Sequence, residues 1–328
     1  MTDTPVVSLL VCTRDRVLSL PRLLSSITRA AAHPEAPRIE VVLVDNGSAD
    51  GTADCLARWA ADQPFAVRLI TAERPGLAHA RNASLPHARG AILAMTDDDC
   101  RLHPDYFAAL VGCFSALQAP AIVGGRILPG DPADLPLTIK LEDHPMVAAP
   151  HRFPGGFAMG ANLAMTRDVP GRVGPFDARF GAGTPFRAAE DTDYLVRAQA
   201  AGVAIRYDPR FVVDHHHGRR LPAEERSLLA GYGIGDGALY AKYLFKDPRV
   251  LRFLLGDLAA LPRDVFAPIR THASVRAFHF FRLRCKIRGM VIYAWVAARA
   301  AAYRRTRGHG RDVSAPSAPV DRRPATRR

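Results

Sequence analysis

Residues 91–100 read AILAMTDDDC, an apolar run wide enough for a buried strand that stops at three consecutive carboxylates, Asp97, Asp98 and Asp99. Adjacent carboxylates repel one another, so the triplet calls for positive charge. Along an extended backbone, side chains alternate, which places Asp97 and Asp99 on one side and Asp98 on the other. Two carboxylates on one side can share a hard divalent cation, and such a cation can hold a diphosphate. A solvated acidic turn ahead of a helix beginning near His103 and Pro104 is the plain structural alternative.

The elements around the triplet favour the chemical reading. Residues 6–12, 39–44, 67–70 and 91–95 are short apolar runs of the kind found in strands covered on both faces. Between them, residues 18–31, 52–61 and 76–88 carry apolar side chains at helical spacing. This alternation predicts crossover units and an open, largely parallel α/β sheet. Ligands of such sheets lie beyond the carboxyl ends of the strands. Thr13, Arg14 and Asp15 follow the first strand, Asp45 closes the second and Asp97 the fourth. A dinucleotide-binding sheet would carry G-x-G-x-x-G after strand one, where this chain has CTRDR.

Beyond the sheet, residues 129–154 are rich in proline and mixed charge, which predicts a long loop or lid. Order returns through GGFAMGANLAM at residues 155–165, and residues 188–201 predict a helix that opens on Glu190, Asp191 and Asp193. Acids there also suit the positive end of a helix dipole. Residues 203–207 and 211–213 predict two short strands, the second running into Asp214, His215, His216 and His217. Residues 226–245, 250–261 and 274–303 are helical in pattern, and Gly231, Gly233, Gly235 and Gly237 mark a flexible or closely packed turn. Residues 304–328 hold eight Arg and little apolar material, which predicts a disordered tail.

The formal net charge is +12, and residues 269–311 contain eleven Lys or Arg and no acid, so the excess forms a partner-binding surface. Five cysteines without a C-x-x-C pair speak against a zinc ribbon or disulfide framework and suit a reducing cytosol. No basic-then-apolar leader is visible at the start, and residues 289–298 are too short a run to span a bilayer. The expected location is cytoplasmic, with peripheral attachment at the inner face of the cell membrane as an option.

Taken in order, VSLLVCTRDR, IEVVLVDNGSADGT, RPGLAHARN, AMTDDDC, GANLAM, AEDTDYLVRAQAAG and VVDHHH resemble the family 2 inverting glycosyltransferases. The resemblance covers about residues 6–217 and implies a single-sheet, Rossmann-like A-type nucleotide-sugar fold. A catalytic domain over residues 1–220 would then divide into a nucleotide half, about 1–128, and an acceptor half, about 155–220. A helical basic extension, 221–303, and the tail would follow.

The resemblance also implies roles. Thr13, Arg14, Asp45, Arg81, Asp97 and Asp98 would serve the nucleotide and diphosphate, with Asn46 standing where the family often has a second Asp. Asp97, Asp99 and His215 would hold manganese or magnesium, and His216 or His217 is the alternative to His215. A cation there would stabilise the departing diphosphate. Asp191 would be the general base, with Glu190 as its substitute, and Gly160 and Asn162 would line the donor-sugar and acceptor pocket.

The expected activity is inverting, metal-dependent transfer of a hexosyl or deoxyhexosyl group from a nucleoside-diphosphate sugar to an acceptor hydroxyl. The expected setting is cell-surface polysaccharide, lipid-linked glycan or glycolipid synthesis, with a carbohydrate or lipid-linked acceptor. A nucleotidyltransferase is a rival, but it would carry a glycine-rich phosphate loop after strand one. A non-enzymatic binding module is the other. Aromatic residues interleaved with arginines at residues 276–295 suit an anionic membrane surface, core packing or, least well, nucleic acid.

Overall fold

A computed structural model describes residues 4–150, 152–266 and 275–308. The tail expected at 304–328 falls mostly outside these residues. Nine strands form one sheet in the order β3-β2-β1-β4-β8-β6-β9-β5, with β7 paired to β9. The strands are β1 (Val7–Thr13), β2 (Ile39–Asp45), β3 (Ala66–Thr71), β4 (Ile92–Asp97), β5 (Cys100–Leu102), β6 (Ala121–Pro129), β7 (Met146–Val147), β8 (Asn162–Thr166) and β9 (Ala204–His215). The first four are parallel and joined by helices α1 (Leu20–Ala31), α2 (Thr52–Ala61) and α3 (Leu77–Ser84).

Two apolar layers explain the buried runs. On one face Val7, Leu9 and Val11 of β1 meet Leu20, Leu23 and Ile27 of α1. On the other, Leu10, Val42 and Leu93 meet the packing of α6 (Glu190–Ala200) through Tyr194 and Leu195. Beyond β4 the sheet is mixed, where the sequence pattern predicted a largely parallel one. β8 runs antiparallel to both β4 and β6, and β9 is parallel to β6 but antiparallel to β5 and β7.

The two strands expected at 203–207 and 211–213 are one strand, β9. Pro209 lies within it, where the pairing with β6 shifts register between Gly124 and Arg126. Proline has no N–H to give the ladder, and a bulge is one of the few places a strand tolerates it. The segment predicted as a long loop carries β7 and a bridge from Lys140 to Ile127, so it is stitched to the sheet edge.

Chain direction sets where the polar residues collect. The chain moves outward from β1 to β2 and β3, then returns to place β4 on the opposite side of β1. The crevice left by that reversal lies at the carboxyl ends of β1 and β4, the usual ligand position in such sheets. Cys12, one residue before the end of β1, is the register partner of Asp97.

The remaining helices are α4 (Tyr106–Phe114), α5 (Val169–Val173), α7 (Pro222–Tyr243), α8 (Arg249–Ala259), α9 (Arg263–Phe266) and α10 (Phe278–Gly308). Pro222 opens α7, and Glu224 accepts from the backbone N–H of Leu221 at 2.8 Å, which caps the first turn. α7 and α10 cross in close contact at glycines. A Cβ on Gly237 would overlap the Lys286 carbonyl, and one on Gly289 would overlap that of Ile234. The glycine series is therefore a packing notch, the second of the two readings left open by the sequence. The five cysteines are free thiols.

Charge fastens α7 to the sheet layer. Asp193, fully buried on α6, accepts from Arg197 at 2.9 Å, from the Tyr243 hydroxyl at 2.9 Å and from Lys242. Lys242 also meets Asp177 at 2.8 Å. Removing one member of a buried ion cluster strands the others without water. Asp193→Ala should therefore lower unfolding free energy by about 3–5 kcal/mol, read as a reduced urea midpoint at unchanged slope.

Candidate active site

One cavity of about 1050 Å³ opens at the reversal crevice and continues under α7, α8 and α10. Thr13, Arg14, Arg81, Asp97, Asp98, Asp99, Gly160, Glu190, Asp191 and His215 all line it. These residues come from β1, α3, β4, α6, β9 and the turns between them, so distant motifs converge on one wall.

Each carboxylate of the triplet has a nitrogen of a basic side chain beside it. Arg81 Nη2 stands 3.3 Å from Asp97 Oδ1, Arg16 Nε 3.4 Å from Asp98 Oδ1, and His215 Nε2 3.2 Å from Asp99 Oδ1. Strict alternation fails here because β4 ends at Asp97 and the chain turns through Asp98 and Asp99 before β5. All three side chains consequently face the cavity. Burial raises the pKa of Asp97 and pushes that of Asp98 up to about 6. Burial also opposes the charge of Asp99, but His215 and Arg16 more than offset it and hold its pKa below the usual value.

Arg81 is the centre of the site. It is 4 % exposed, and its Nη1 donates to Glu190 Oε1 at 2.9 Å while Nη2 meets Asp97. Its guanidinium also lies 5.7 Å from the centroid of the Phe176 ring. The sequence assigned Arg81 to the diphosphate, whereas here both ends of its fork are engaged by the chain's own carboxylates. Gly160 lacks a side chain for this reason: a Cβ would overlap Nη2 of Arg81. Burial pushes the pKa of Glu190 up to about 7, with the charge of Asp191 adding to the rise and Arg81 opposing it.

Asp191 is held differently. Its Oδ2 accepts from the Gly160 backbone N–H at 3.0 Å, and its Oδ1 accepts from that of Thr192 at 2.6 Å. Among the described residues neither oxygen is in an ion pair. The carboxylate is oriented by backbone donors while it faces the cavity.

Two residues assigned to the site stand elsewhere. Asn162 is fully buried and braces strands: its Nδ2 donates to the carbonyls of Arg126 at 3.0 Å and Phe211 at 3.1 Å, and its Oδ1 accepts from the Tyr106 hydroxyl at 3.0 Å. With its amide so used, it does not line the cavity. Asp45 is also absent from the cavity wall; its Oδ1 accepts from the Ser48 N–H and hydroxyl, which shapes the turn after β2. Its neighbour Asn46 lines the cavity and ties that turn to Gly76 by accepting its N–H at 2.7 Å. Of the three histidines, His215 faces the cavity, whereas His217 Nε2 meets the Leu135 carbonyl and His216 packs on Gly130.

Other cavity residues escaped the sequence reading. Arg16 was passed over beside Arg14 and Asp15, although it reaches Asp98 and lies 3.9 Å from Asp99. Thr138, in a left-handed conformation at φ 53°, offers its carbonyl to His215 Nδ1 at 3.2 Å and its hydroxyl to the Tyr232 hydroxyl at 2.8 Å. No pattern in the proline-rich segment marks it.

The donor set fits a divalent cation. Asp99 Oδ1 is buried without a hydrogen-bond donor. His215 Nδ1 faces the Thr138 carbonyl, so in the neutral tautomer the lone pair of Nε2 points at that same oxygen. The ligand atoms of Asp99, Cys100 and His215 lie within 4.8 Å of one another. Burial holds the Cys100 thiol well above its ordinary pKa, which leaves Asp99 and His215 as the ligands suited to manganese or magnesium.

A mixed sheet with an acidic carboxyl edge, backed by helices on both faces, is the architecture of the A-type glycosyltransferases. Residues 8–156 match the family model for Glycosyl transferase family 2. It is 31% identical over 128 residues to Glycosyltransferase AglE of Haloferax volcanii, a match covering 39% of this chain and 41% of AglE. It is 25% identical over 250 residues to Succinoglycan biosynthesis protein ExoM of Rhizobium meliloti, covering 74% of this chain and 76% of that protein. The chain thus spans less than half of AglE but about three quarters of ExoM. Among solved structures, Mannosyltransferase PcManGT from Pyrobaculum calidifontis, in complex with GDP-Man and Mn2+, superposes with a TM-score of 0.60. That likeness has 22% identity over 90% of this chain and 88% of PcManGT, and it concerns the fold.

The clearance around Arg81 gives a direct check. Gly160→Ala should displace the guanidinium and lower turnover about 10²-fold, as expected when a site is shifted by an ångström. Gly171→Ala, where an added Cβ meets nothing within 4 Å, should leave turnover and melting temperature unchanged. Release of nucleoside diphosphate and thermal unfolding of both variants measure this.

Proposed function

We propose that this protein is a glycosyltransferase that transfers a sugar from a nucleoside-diphosphate donor to an acceptor hydroxyl with inversion, in the synthesis of a polysaccharide or lipid-linked glycan. The observation that carries the reading is the shared cavity: the acidic edge of the sheet and the backbone-oriented Asp191 line the same space. A donor diphosphate fits at Asp97–Asp99, with Thr13 and Arg14 towards the nucleoside. Bound manganese or magnesium would act as a Lewis acid on the diphosphate and offset the charge that it gains.

Asp191 acts as the base. Two backbone N–H groups fix its plane, so a lone pair stays directed at an acceptor hydroxyl. That hydroxyl loses its proton to Asp191 as its oxygen attacks the anomeric carbon on the face opposite the leaving diphosphate. Glu190 is a poorer candidate, because its Oε1 is held by Arg81. Arg81 and Glu190 instead fix the distance between the acidic edge and the base. Support from a general base is worth about 10²- to 10⁴-fold.

Asp191→Asn should therefore lose about 10²- to 10⁴-fold in transfer while donor affinity stays within threefold. Asp99→Ala should lose metal-stimulated release of nucleoside diphosphate. A donor panel assayed with manganese, magnesium or chelator measures both, and product NMR gives the anomeric configuration. A retained configuration, or near wild-type turnover in both variants, would overturn the reading.

The finer location is the cytoplasmic side of an anionic membrane. Among the described residues no helix is long and apolar enough to cross a membrane. The outer face of α10 nevertheless exposes Phe280, Ile287, Val291 and Trp295 among Arg284, Arg288 and Arg299. Apolar side chains rimmed by arginine and free of acids suit an acidic headgroup layer. Trp295→Glu with Val291→Glu should abolish co-sedimentation with phosphatidylglycerol vesicles, and wild type should ignore phosphatidylcholine vesicles at the same salt.

A further inference from the structure

Residues 228–257 and 278–286 contribute a second half of the cavity that the sheet does not explain. Its wall includes Tyr232 and Asp236 of α7, Phe253 and Asp257 of α8, and Phe278 and Arg282 of α10. These positions lie outside residues 8–156, the part matched by the family model. Tyr232 and Asp236 are four residues apart and so share one face of α7. Asp191 is close enough to act on the charge of both.

The polar groups here are only partly satisfied. Asp236 Oδ2 lies 3.9 Å from both Arg282 Nη2 and Lys286 Nζ, near enough for attraction but too far for a hydrogen bond. Lys286 is committed instead to Asp257 at 2.6 Å and to the Tyr240 hydroxyl at 3.1 Å. Arg282 stands over the Phe278 ring at 5.6 Å and its side chain is 37% exposed. Tyr232 is 39% exposed, although its hydroxyl is tied to Thr138.

We propose that Tyr232, Asp236 and Arg282 form a subsite for the sugar ring of the acceptor. The inference rests on the transferase reading above and adds the class of acceptor. A pyranose has one face of C–H bonds, which suits the negative face of the exposed Tyr232 ring. Its hydroxyls each donate and accept, so they bridge a carboxylate and a guanidinium that stand just beyond bonding distance. An anionic headgroup would meet Asp236, and an aliphatic chain would strip water from Asp236 and Arg282 without replacing it. A sugar satisfies the carboxylate, the guanidinium and the ring together.

The test uses the full chain with the donor and metal that give the highest nucleoside-diphosphate release in water. The acceptor probes are p-nitrophenyl and octyl glycosides of glucose, galactose, mannose and N-acetylglucosamine, with a polyprenyl phosphate in detergent micelles as the competing arm. At least one glycoside should stimulate release. Tyr232→Ala and Asp236→Asn should each raise its KM about 10- to 100-fold, the loss typical of an aromatic or charged anchor, with kcat changed no more than threefold. Tyr232→Phe, which keeps the ring, should hold KM within threefold and so separates stacking from the bond to Thr138. Equal KM for the two aglycones assigns the ring to a soluble saccharide, and a lower KM for the octyl series assigns it to a lipid-linked one; both support the subsite. Stimulation by the polyprenyl phosphate alone, or unchanged glycoside KM in Tyr232→Ala and Asp236→Asn, would overturn it. Absence of release from every donor would instead count against the transferase reading itself.

Discussion

A single buried guanidinium governs the geometry of this site. Arg81 spans from Asp97 on the sheet edge to Glu190 at the start of α6, two elements far apart in the sequence. A charge so deeply buried is tolerable only with partners on both sides, and the carboxylates are equally dependent on it. Its neighbours follow from that constraint. Gly160 leaves it room, Phe176 offers a ring, and Gly181, at φ +96°, brings the chain close to Glu190. Asp191, the base we propose, is the residue after Glu190, so whatever fixes Glu190 also fixes Asp191.

Much of the first half was readable from patterns because local physics determines it. Buried parallel strands need uninterrupted apolar runs, and residues 6–12, 39–44 and 91–95 supply them. The convergence of Thr13, Asp97 and Asp191 was legible through motif order. What failed was information held by distant pairings. Asn162 has the same letters around it whether it faces a ligand or ties Tyr106, Arg126 and Phe211 together, and only the mixed arrangement of β6, β8 and β9 decides between them. Likewise Asp45 closes a strand as expected, yet the Ser48 turn folds back over its carboxylate. Arg81 was recognised as a site residue, but its partner lies 109 positions away and no local pattern names it.

The C-terminal helices belong to the site as much as the sheet does. The glycines of α7, which the sequence left as either a flexible or a closely packed turn, are the surface on which α10 lies, at Gly233 against Cys285 and Gly237 against Lys286. Close approach there brings Lys286 and Arg282 inward to the cavity, while the opposite face of α10 keeps its aromatic and basic residues outside. One helix thus carries two surfaces of different chemistry, which explains why its composition looked ambiguous when read as a string.

Thr138 joins these two halves. Its carbonyl faces the imidazole of His215, and its hydroxyl meets the phenol of Tyr232, all from a backbone conformation that residues with a Cβ rarely adopt. Such conformations persist only where the surrounding contacts hold them. The placement of the phenol and that of the imidazole therefore both depend on the left-handed geometry of one residue.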